Sequence, residues 1–588
     1  MSERIIGIDL GTTNSEVAVV EDGKVTIISD SGQMIIPSFV GLDDSGSVLV
    51  GQDAKNQYQA YPERTVKSIK RRMGKDTRVQ MGDSSYSPQE ISAIILKKLK
   101  SMAEAYLGEE IGKAVITVPA YFSDAQRRAT REAGEIAGLE VVKMINEPTA
   151  AALSYESGHH GGRRIMIYDL GGGTFDVSVV QMEDGVIEVV ASHGNNHLGG
   201  DDFDHKIVEY IIEHLKNEHK VTEPLSAQAM ARIERAAENA KKVLSDHPFA
   251  SISEEYLLEN NNVPINLSLD LARHDYEDMI ISLIDETLEA VNTALNSADL
   301  TVSDIEEVLL VGGSTRTPMV TRRLGEEFGF HPRREVDPDL CVATGAAMQA
   351  AMIRGDKVSA VLVDITPYTF GTHALDEIDG MSYPYCFVPI ISKNTPIPVT
   401  KSEVFYTVYD NQEEVQVGVY QGEHQDAKKN IQIGEFMIKG LSAASAGSEI
   451  VTMFELDKDG ILHVTSQEKK TGLEKKITID NAISRFEEAE LSEAKEKIIN
   501  LFGEDEIREE KTPAPKEADT AGPGKQMKVQ AGALIEKAER LLGQAEPDDR
   551  EEMVDLIEKI QEALSANDLT ALTESVEELS DIIFYLES

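Results

Sequence analysis

Two short segments of this chain carry the residue types that a bound phosphate chain and its counter-cation require. In Ile5-Ile6-Gly7-Ile8-Asp9-Leu10-Gly11-Thr12-Thr13, an apolar run ends in a carboxylate and then a turn of glycine and hydroxyls. Ile165-Met166-Ile167-Tyr168-Asp169-Leu170-Gly171-Gly172-Gly173-Thr174-Phe175-Asp176 repeats the pattern. Glycines let backbone N–H groups approach phosphate oxygens, and hydroxyls can donate to them. A bare carboxylate would repel phosphate, whereas one that holds hydrated Mg2+ would clamp the β and γ oxygens of a nucleotide. One such turn alone reads as an ordinary loop; the pair points to a metal nucleotide. A third strand-to-glycine turn, Val308-Leu309-Leu310-Val311-Gly312-Gly313-Ser314-Thr315-Arg316, adds close backbone approach and an arginine able to stack on a base. No Gly-x-x-x-x-Gly-Lys-Ser/Thr loop occurs to compete with this reading.

The elements that must position these turns follow from periodicity. From the start to about Gly355, β-branched runs alternate with helical patterns, as in 113–117 followed by 124–137, an α/β signature. The repeated strand-and-turn implies a duplicated α/β unit with its two turns facing across a cleft. Around 356–364 the helical pattern stops, and Ser359-Ala360-Val361-Leu362-Val363 has no partner strand nearby in sequence, which reads as an apolar interdomain linker. Beyond it, alternating runs at 404–408, 415–419 and 461–464, with Asp-Asn and Asp-Gly turns, predict an antiparallel β domain. From about Glu487 the chain turns helical and acidic. It is broken at 511–525 by a Pro/Gly-rich stretch read as a flexible linker. After the break, apolar residues at helical spacing from Leu534 to Ile583 predict three amphipathic helices in a small bundle.

Composition narrows the classes. The chain of 588 residues is long enough for several domains, and 41% hydrophobic with 27% charged residues is ordinary for a folded protein. A formal charge of -46 repels nucleic acid and anionic membrane surfaces, so neither is an expected partner. Cys341 and Cys386 lie far apart with no metal-ligand spacing, which suits a reducing compartment. With no signal-peptide pattern and no run of about 20 apolar residues, the expected location is cytoplasmic.

Three turns in the order phosphate, phosphate, nucleoside resemble the actin, hexokinase and DnaK superfamily. Within it, residues 1 to about 485 resemble the 70-kilodalton heat-shock chaperones. The match is carried by Gly7-Ile8-Asp9-Leu10-Gly11-Thr12-Thr13-Asn14-Ser15, Val118-Pro119-Ala120-Tyr121-Phe122, Asn146-Glu147-Pro148-Thr149-Ala150-Ala151-Ala152, Asp169 to Asp176, and His197-Leu198-Gly199-Gly200-Asp201-Asp202-Phe203-Asp204. The resemblance implies an actin-like ATPase domain with duplicated core (1–355), a linker (356–364), a β-sandwich peptide-binding domain (365–485) and an α-helical lid (486–588).

By the same resemblance, Lys70 positions the attacking water and γ-phosphate, with Glu147, Asp169 and Thr174 around the same centre. Gly11, Thr12, Thr13, Gly171, Gly172 and Gly173 would cradle phosphate, and Asp9 and Asp169 would organise Mg2+ through water, with K+ as a further cation. Glu238, Lys241, Lys242 and Ser245 match the adenosine-binding helix, opposite Gly313, Ser314, Arg316 and Asp339. Read alone, that helix face is a solvated one. Asp337-Pro338-Asp339-Leu340-Cys341-Val342-Ala343 departs from the family's Asn-Pro-Asp-Glu-Ala-Val-Ala, and Cys341 reads as packing. The nucleotide would be ATP, whose γ-phosphoryl group passes to water in a slow, regulated step that leaves ADP and phosphate.

Pro119 and Arg127 match the family's proline switch and relay arginine, although Arg127 on a charged helix also reads as a surface residue. Val361, Leu362, Val363 and Asp364 match the apolar linker, with smaller side chains. Lys143, Asn146 and Thr149 match the patch that meets a J-domain cochaperone; a nucleotide exchange factor and unfolded polypeptide clients are the other implied partners. Phe405, Val415, Val417 and Val419 would line a peptide pocket under an arch of Leu375 and Val408, against the plain reading that alternating valines are core. Residues 374–393 are longer than the family loop and rich in aromatics, and the final residues lack the Glu-Glu-Val-Asp tail of eukaryotic cytosolic members, which suggests a bacterial or organellar type. A small-molecule kinase of the same superfamily would leave the β domain and lid unexplained, a filament protein of the actin kind would leave the linker and β domain unexplained, and a non-hydrolysing exchange partner would leave Lys70, Glu147 and Thr174 unexplained.

Overall fold

A computed structural model describes residues 4–156, 162–183, 185–260, 263–332, 337–356, 361–378, 380–442, 445–478 and 488–509, with a few positions between 550 and 579. The chain divides into two compact units, 1–505 and 506–588.

The duplication predicted from the two turns is present as repeated sheet topology. In the first sheet, Ile5–Leu10 and Asn14–Glu21 pair antiparallel around the first turn, and Lys24–Ile27 continues the meander. Lys113–Val118 lies parallel on the other side of Ile5–Leu10, followed by Glu140–Asn146. In the second sheet, Arg163–Leu170 and Phe175–Glu183 pair antiparallel around the second turn, Val186–Asn195 continues the meander, and Glu307–Val311 lies parallel on the far side. Each turn therefore leaves its strand at the same place in the same local topology. Parallel strands are buried on both faces, and Ile165–Leu170 accordingly reads as a nearly continuous apolar run with its hydrophobic side chains inaccessible to water.

The helices that cover these sheets start and stop where their sequences say. Pro88–Leu107 begins with Ser87 and Glu90 in a reciprocal capping box, has proline in its first turn, and ends on Gly108 at φ 68°. Asp124–Ile136 has the same box from Ser123 and Gln126. Two alanine-rich helices, Glu147–Glu156 and Cys341–Arg354, pack tightly, since a Cβ on Gly345 would lie 1.8 Å from the Ala150 carbonyl oxygen; the second helix also rests on the strand Ile5–Leu10, where a Cβ on Gly7 would lie 2.1 Å from the Ala347 nitrogen. The core cluster at this crossing takes residues from both sheets, among them Val115, Ile145, Ile165, Ile167 and Leu309.

Two four-stranded antiparallel sheets follow. One runs Met381–Ile391, Phe370–Ile378, Glu414–Gln421, Ile431–Lys439; the other runs Val399–Tyr406, Glu449–Leu456, Leu462–Glu468, Glu474–Thr478. They share one core that includes Phe370, Val419 and Phe436 from the first and Ile450, Phe454 and Val464 from the second.

Three features go beyond what the sequence shows. The segment with no partner strand nearby in sequence is a strand, Val361–Ile365. It pairs parallel to Val186–Asn195, with Val186 opposite Val361, Ile187 opposite Leu362 and Glu188 opposite Val363. Its partner lies far away in the chain, so no local pattern could reveal it. The long segment 374–393 is a β-hairpin continuing two strands rather than a loop. The helix Glu488–Glu509 buries Ala494 and Ile498 in the core cluster of the first lobe, and its Lys497 ammonium sits 2.7 Å from the Glu90 carboxylate. In the second unit Met553, Leu556, Ile557, Ile560 and Leu579 are buried; the break at 511–525 lies outside the described residues, as do most of the three predicted helices.

Candidate functional site

The two glycine turns meet. A Cβ on Gly172 would lie 1.7 Å from Thr13 Oγ1, and one on Gly173 would lie 2.5 Å from Thr12 Cγ2, so only glycine lets the second turn come this close to the first. Gly11 is just as tight, its Cβ position 2.0 Å from the Asn14 carbonyl oxygen. The third turn joins them: Ser314 Oγ donates to the Gly171 carbonyl at 2.8 Å. Gly312, at φ +81°, brings the backbone against Leu170. Thr13 Oγ1 is buried and has no hydrogen-bond partner in the protein. A hydroxyl left unpaired between two glycine turns fits a phosphate oxygen as its missing partner.

Carboxyl groups ring this junction. Lys70, in the short turn Ile69–Arg72, places Nζ 2.5 Å from Glu147 Oε1, and both side chains are buried. Thr117 Oγ1 donates to Asp9 Oδ1 at 2.6 Å. Burial, and then neighbouring carboxylates, push Asp169 well above the usual carboxylate range. Burial raises Asp9 and Glu147 as well, each opposed by Lys70. Asp176, buried and facing Glu147, is pushed up to about 7. Four carboxyl groups face one ammonium away from water, so their ionised forms are disfavoured until a further cation offsets the charge. Hard oxygen donors in that state suit a divalent cation such as Mg2+.

Two contributors to this centre escaped the sequence reading. Glu16 is buried and raised well above its ordinary value by burial and by Asp9; its signal was one acidic residue inside the apolar strand Asn14–Glu21. Arg71 grips Asp202 with two nitrogens while its Nε donates to the Gly173 carbonyl at 3.2 Å. Its adjacency to Lys70 was the available hint.

On the nucleoside side, Lys241 Nζ donates to the Gly200 carbonyl at 3.0 Å and to Asp204 at 2.8 Å. Arg316 pairs with Asp339 at 2.6 Å, and Gly313 lies against the same carboxylate. Ser245 bonds back to the Lys241 carbonyl within its own helix. Glu238 faces across the cleft to Lys55 at 2.8 Å and along its helix to Lys242 at 2.6 Å. Burial opposes ionisation there, but the two ammonium groups hold its carboxyl down to about 2. The helix face that reads as solvated therefore closes onto the other lobe. Cys341 is buried, and burial followed by Asp169 and Asp9 pushes its thiol up, so it packs as a neutral group.

The plain reading of Arg127 as a surface residue is wrong. It is buried, and its guanidinium donates to the Phe122 and Ala120 carbonyls at 3.3 and 3.1 Å and to Asn146 Oδ1 at 2.6 Å. Asn146 Nδ2 in turn donates to Asp364 Oδ2 at 2.7 Å, and Thr149 Oγ1 reaches the same oxygen at 3.2 Å. A second tie runs from Arg131 to Asp459 at 2.6 Å. Leu362 and Val363 are half-buried, whereas Val361 is exposed. Pro119 opens the turn whose next two amides, of Ala120 and Tyr121, donate to Asp176, each at 3.2 Å.

Of the predicted peptide-site residues, Val417 and Val419 are buried in the β core, Phe405 and Val415 pack at its margin, and Leu375 and Val408 are exposed.

His193 lies edge-on to Tyr121, ring centroids 5.2 Å apart. Burial and then Lys393 push its imidazole down to about 4. A depressed histidine contributes stability above its unfolded value near 6.5 that is lost as pH falls toward 4. Thermal melts of His193→Phe should therefore lose less stability than the parent between pH 6.5 and 4; parallel losses would show that His193 does not set this slope.

Paired glycine turns, surplus buried carboxylates and a lysine on one of them define a nucleotide-hydrolysing protein, here joined through an ordered strand to a second, all-β region. The Hsp70 protein family model matches residues 5–587. The chain is 43% identical over 577 residues to the chaperone protein DnaK of Thermotoga neapolitana, covering 96% of this chain and 94% of that one. It is 42% identical over 586 residues to DnaK of Thermosipho africanus, covering 98% and 95%. The chain belongs to the Hsp70 family: it is an ATP-dependent molecular chaperone and an ATPase, with an actin-like nucleotide-binding domain and a substrate-binding domain.

Proposed function

We propose that the chain binds extended apolar segments of unfolded polypeptides and releases them when ATP drives its domains together. The observation that carries this reading is the path from Arg127 through Asn146 to Asp364, which ties the connecting strand to the lobe that holds Lys70 and Glu147. ATP can shift the docking equilibrium only by its differential affinity for the docked and undocked arrangements. Residues 1–355 act as the ATPase domain, 356–364 as the linker, 365–485 as a β-sandwich for peptide, and 486–588 as a helical lid.

Lys70 positions water and the γ-phosphate, with Glu147, Asp169 and Thr174 beside it. The glycine turns cradle phosphates, Asp9 and Asp169 hold Mg2+ through water, and K+ is a further candidate cation. When bound, the metal neutralises charge on the phosphate oxygens. Arg316, Lys241, Lys242, Glu238, Ser245, Ser314, Gly313 and Asp339 enclose the nucleoside. Extended chains suit Phe405, Val415, Val417 and Val419 beneath Leu375 and Val408, since main-chain bonds with one or two apolar pockets bind peptide with little sequence preference. A J-domain cochaperone meets Lys143, Asn146 and Thr149, a nucleotide exchange factor completes the cycle, and the cytoplasm is its place.

The test is fluorescence anisotropy of a labelled apolar peptide bound to the full chain in ADP. Addition of ATP should release it rapidly. Peptide binding indifferent to nucleotide would refute the coupling.

A further inference from the structure

Immediately after the connecting strand, Tyr368 reaches from the β region to the nucleotide lobe. Its hydroxyl donates to the Tyr121 carbonyl at 2.7 Å, and its ring lies against that of Tyr121 with centroids 4.6 Å apart. The residue is held in place on its own side. Thr366 Oγ1 donates to the Tyr368 carbonyl at 2.9 Å, and the Thr366 amide and carbonyl bond to Thr395 and Asn394 at 3.0 and 2.8 Å. Burial, then Tyr121 and Asp176, push its phenol up, so it remains a donor throughout the working pH range.

What Tyr368 touches is the turn 119–122, and every side of that turn is already committed. The Ala120 and Tyr121 amides hold the two oxygens of Asp176, two residues past Thr174. The Ala120 and Phe122 carbonyls take Arg127, and Asn196 Nδ2 shares the Tyr121 carbonyl at 2.7 Å. His193 also stands against the Tyr121 ring, edge to face. Among these described contacts on the turn, only the one from Tyr368 comes from the β region. Undocking would remove it and leave the others intact.

We propose that Tyr368 is a positioning residue for the coupled ATPase: through Tyr121 it holds the turn 119–122 and its two bonds to Asp176 in the geometry of the docked state, so that docking is felt beside the hydrolytic centre. This rests on the coupling reading above.

Hydrogen exchange of the Val361–Ile365 amides in the full chain, with a non-hydrolysable ATP analogue and with ADP, tests it. Exchange there reports the opening of the docked arrangement. Loss of one buried hydrogen bond, about 1 kcal/mol, should speed exchange in Tyr368→Phe by roughly fivefold with the analogue. Exchange in ADP and the melting temperature should stay put, which a merely structural role would not predict. Tyr368→Leu, which also loses the ring pair, should exchange faster still. ATP-triggered peptide release should slow in the same order. Protection equal to the parent's in both variants would overturn the proposal while leaving the coupling reading standing. A parent whose linker is no better protected with the analogue than with ADP would overturn both.

Discussion

Lys70→Ala should bind ATP within a few-fold of the parent and hydrolyse it at least a hundredfold more slowly. The Lys70 ammonium is buried against Glu147 at 2.5 Å with Asp9 and Asp169 close enough to feel its charge. Phosphoryl transfer to water depends on placement and on charge stabilisation, and removing one preorganised donor from such a centre costs about 10²–10³ in rate. In the proposed site, binding would be distributed over the two phosphate turns and the nucleoside side, which the substitution leaves alone. Single-turnover hydrolysis with nucleotide affinity measured in parallel separates the two effects. Turnover near the parent's would remove Lys70 from the centre. Because the change strands Glu147 as a buried carboxyl without its partner, the variant should also melt lower without nucleotide.

The second large effect is expected at Asp364. Its carboxylate takes hydrogen bonds from Asn146 and Thr149 across the domain boundary and from its own neighbour, the Ile365 amide, at 2.9 Å. Hydrogen bonds to a charged group contribute about 1.5–3 kcal/mol each. With the Thr149 contact, long at 3.2 Å, counted as a fraction of a full bond, Asp364→Ala should disfavour docking by about 2–4 kcal/mol, which at 1.4 kcal/mol per decade is roughly thirty- to a thousandfold in the docking equilibrium. ATP-triggered peptide release should slow accordingly, while peptide affinity in ADP stays at the parent's value. If release keeps its rate, the strand is held by other contacts, and Arg131 with Asp459 becomes the leading alternative.

The difference between what the sequence reveals and what it hides is one of range. The two phosphate turns are legible because everything that defines them, strand, carboxylate, glycine and hydroxyl, lies within a dozen residues, and their repetition exposes the duplicated sheets. The partner of Val361–Ile365 is not legible, since its pairing residues, Val186 to Glu188, lie on the other side of five α-helices in sequence. Arg127 misleads for the same reason: the carbonyls that justify burying it are set by the fold of the turn before it, while its helix neighbours are charged. The hairpin within 370–391 did leave a signal. Asp379-Gly380 stands between two β-prone runs, a common two-residue hairpin turn that outweighs the apparent looseness of the segment. Glu16 joins the site by standing opposite Asp9 on the neighbouring strand, whereas Arg71 becomes part of it only where it meets Gly173 and Asp202 of the other lobe.

The crossing of Glu147–Glu156 and Cys341–Arg354 bears on how the cleft can move. Where Gly345 meets Ala150 at this crossing, and where Gly7 of the strand Ile5–Leu10 meets Ala347 of the second helix, main chain rests on main chain with no side chain between. Such a contact behaves as a fulcrum. It resists compression, because neither surface has a rotamer to yield, yet it offers little resistance to rocking. Small rotations there are magnified at the far rim, where Lys55 meets Glu238 and Lys67 meets Glu234. In the site proposed here, nucleotide residence would then depend jointly on a stiff pivot and on ion pairs at the lip, and a wedge one methyl group wide at the pivot would act as a lever on a site it never touches.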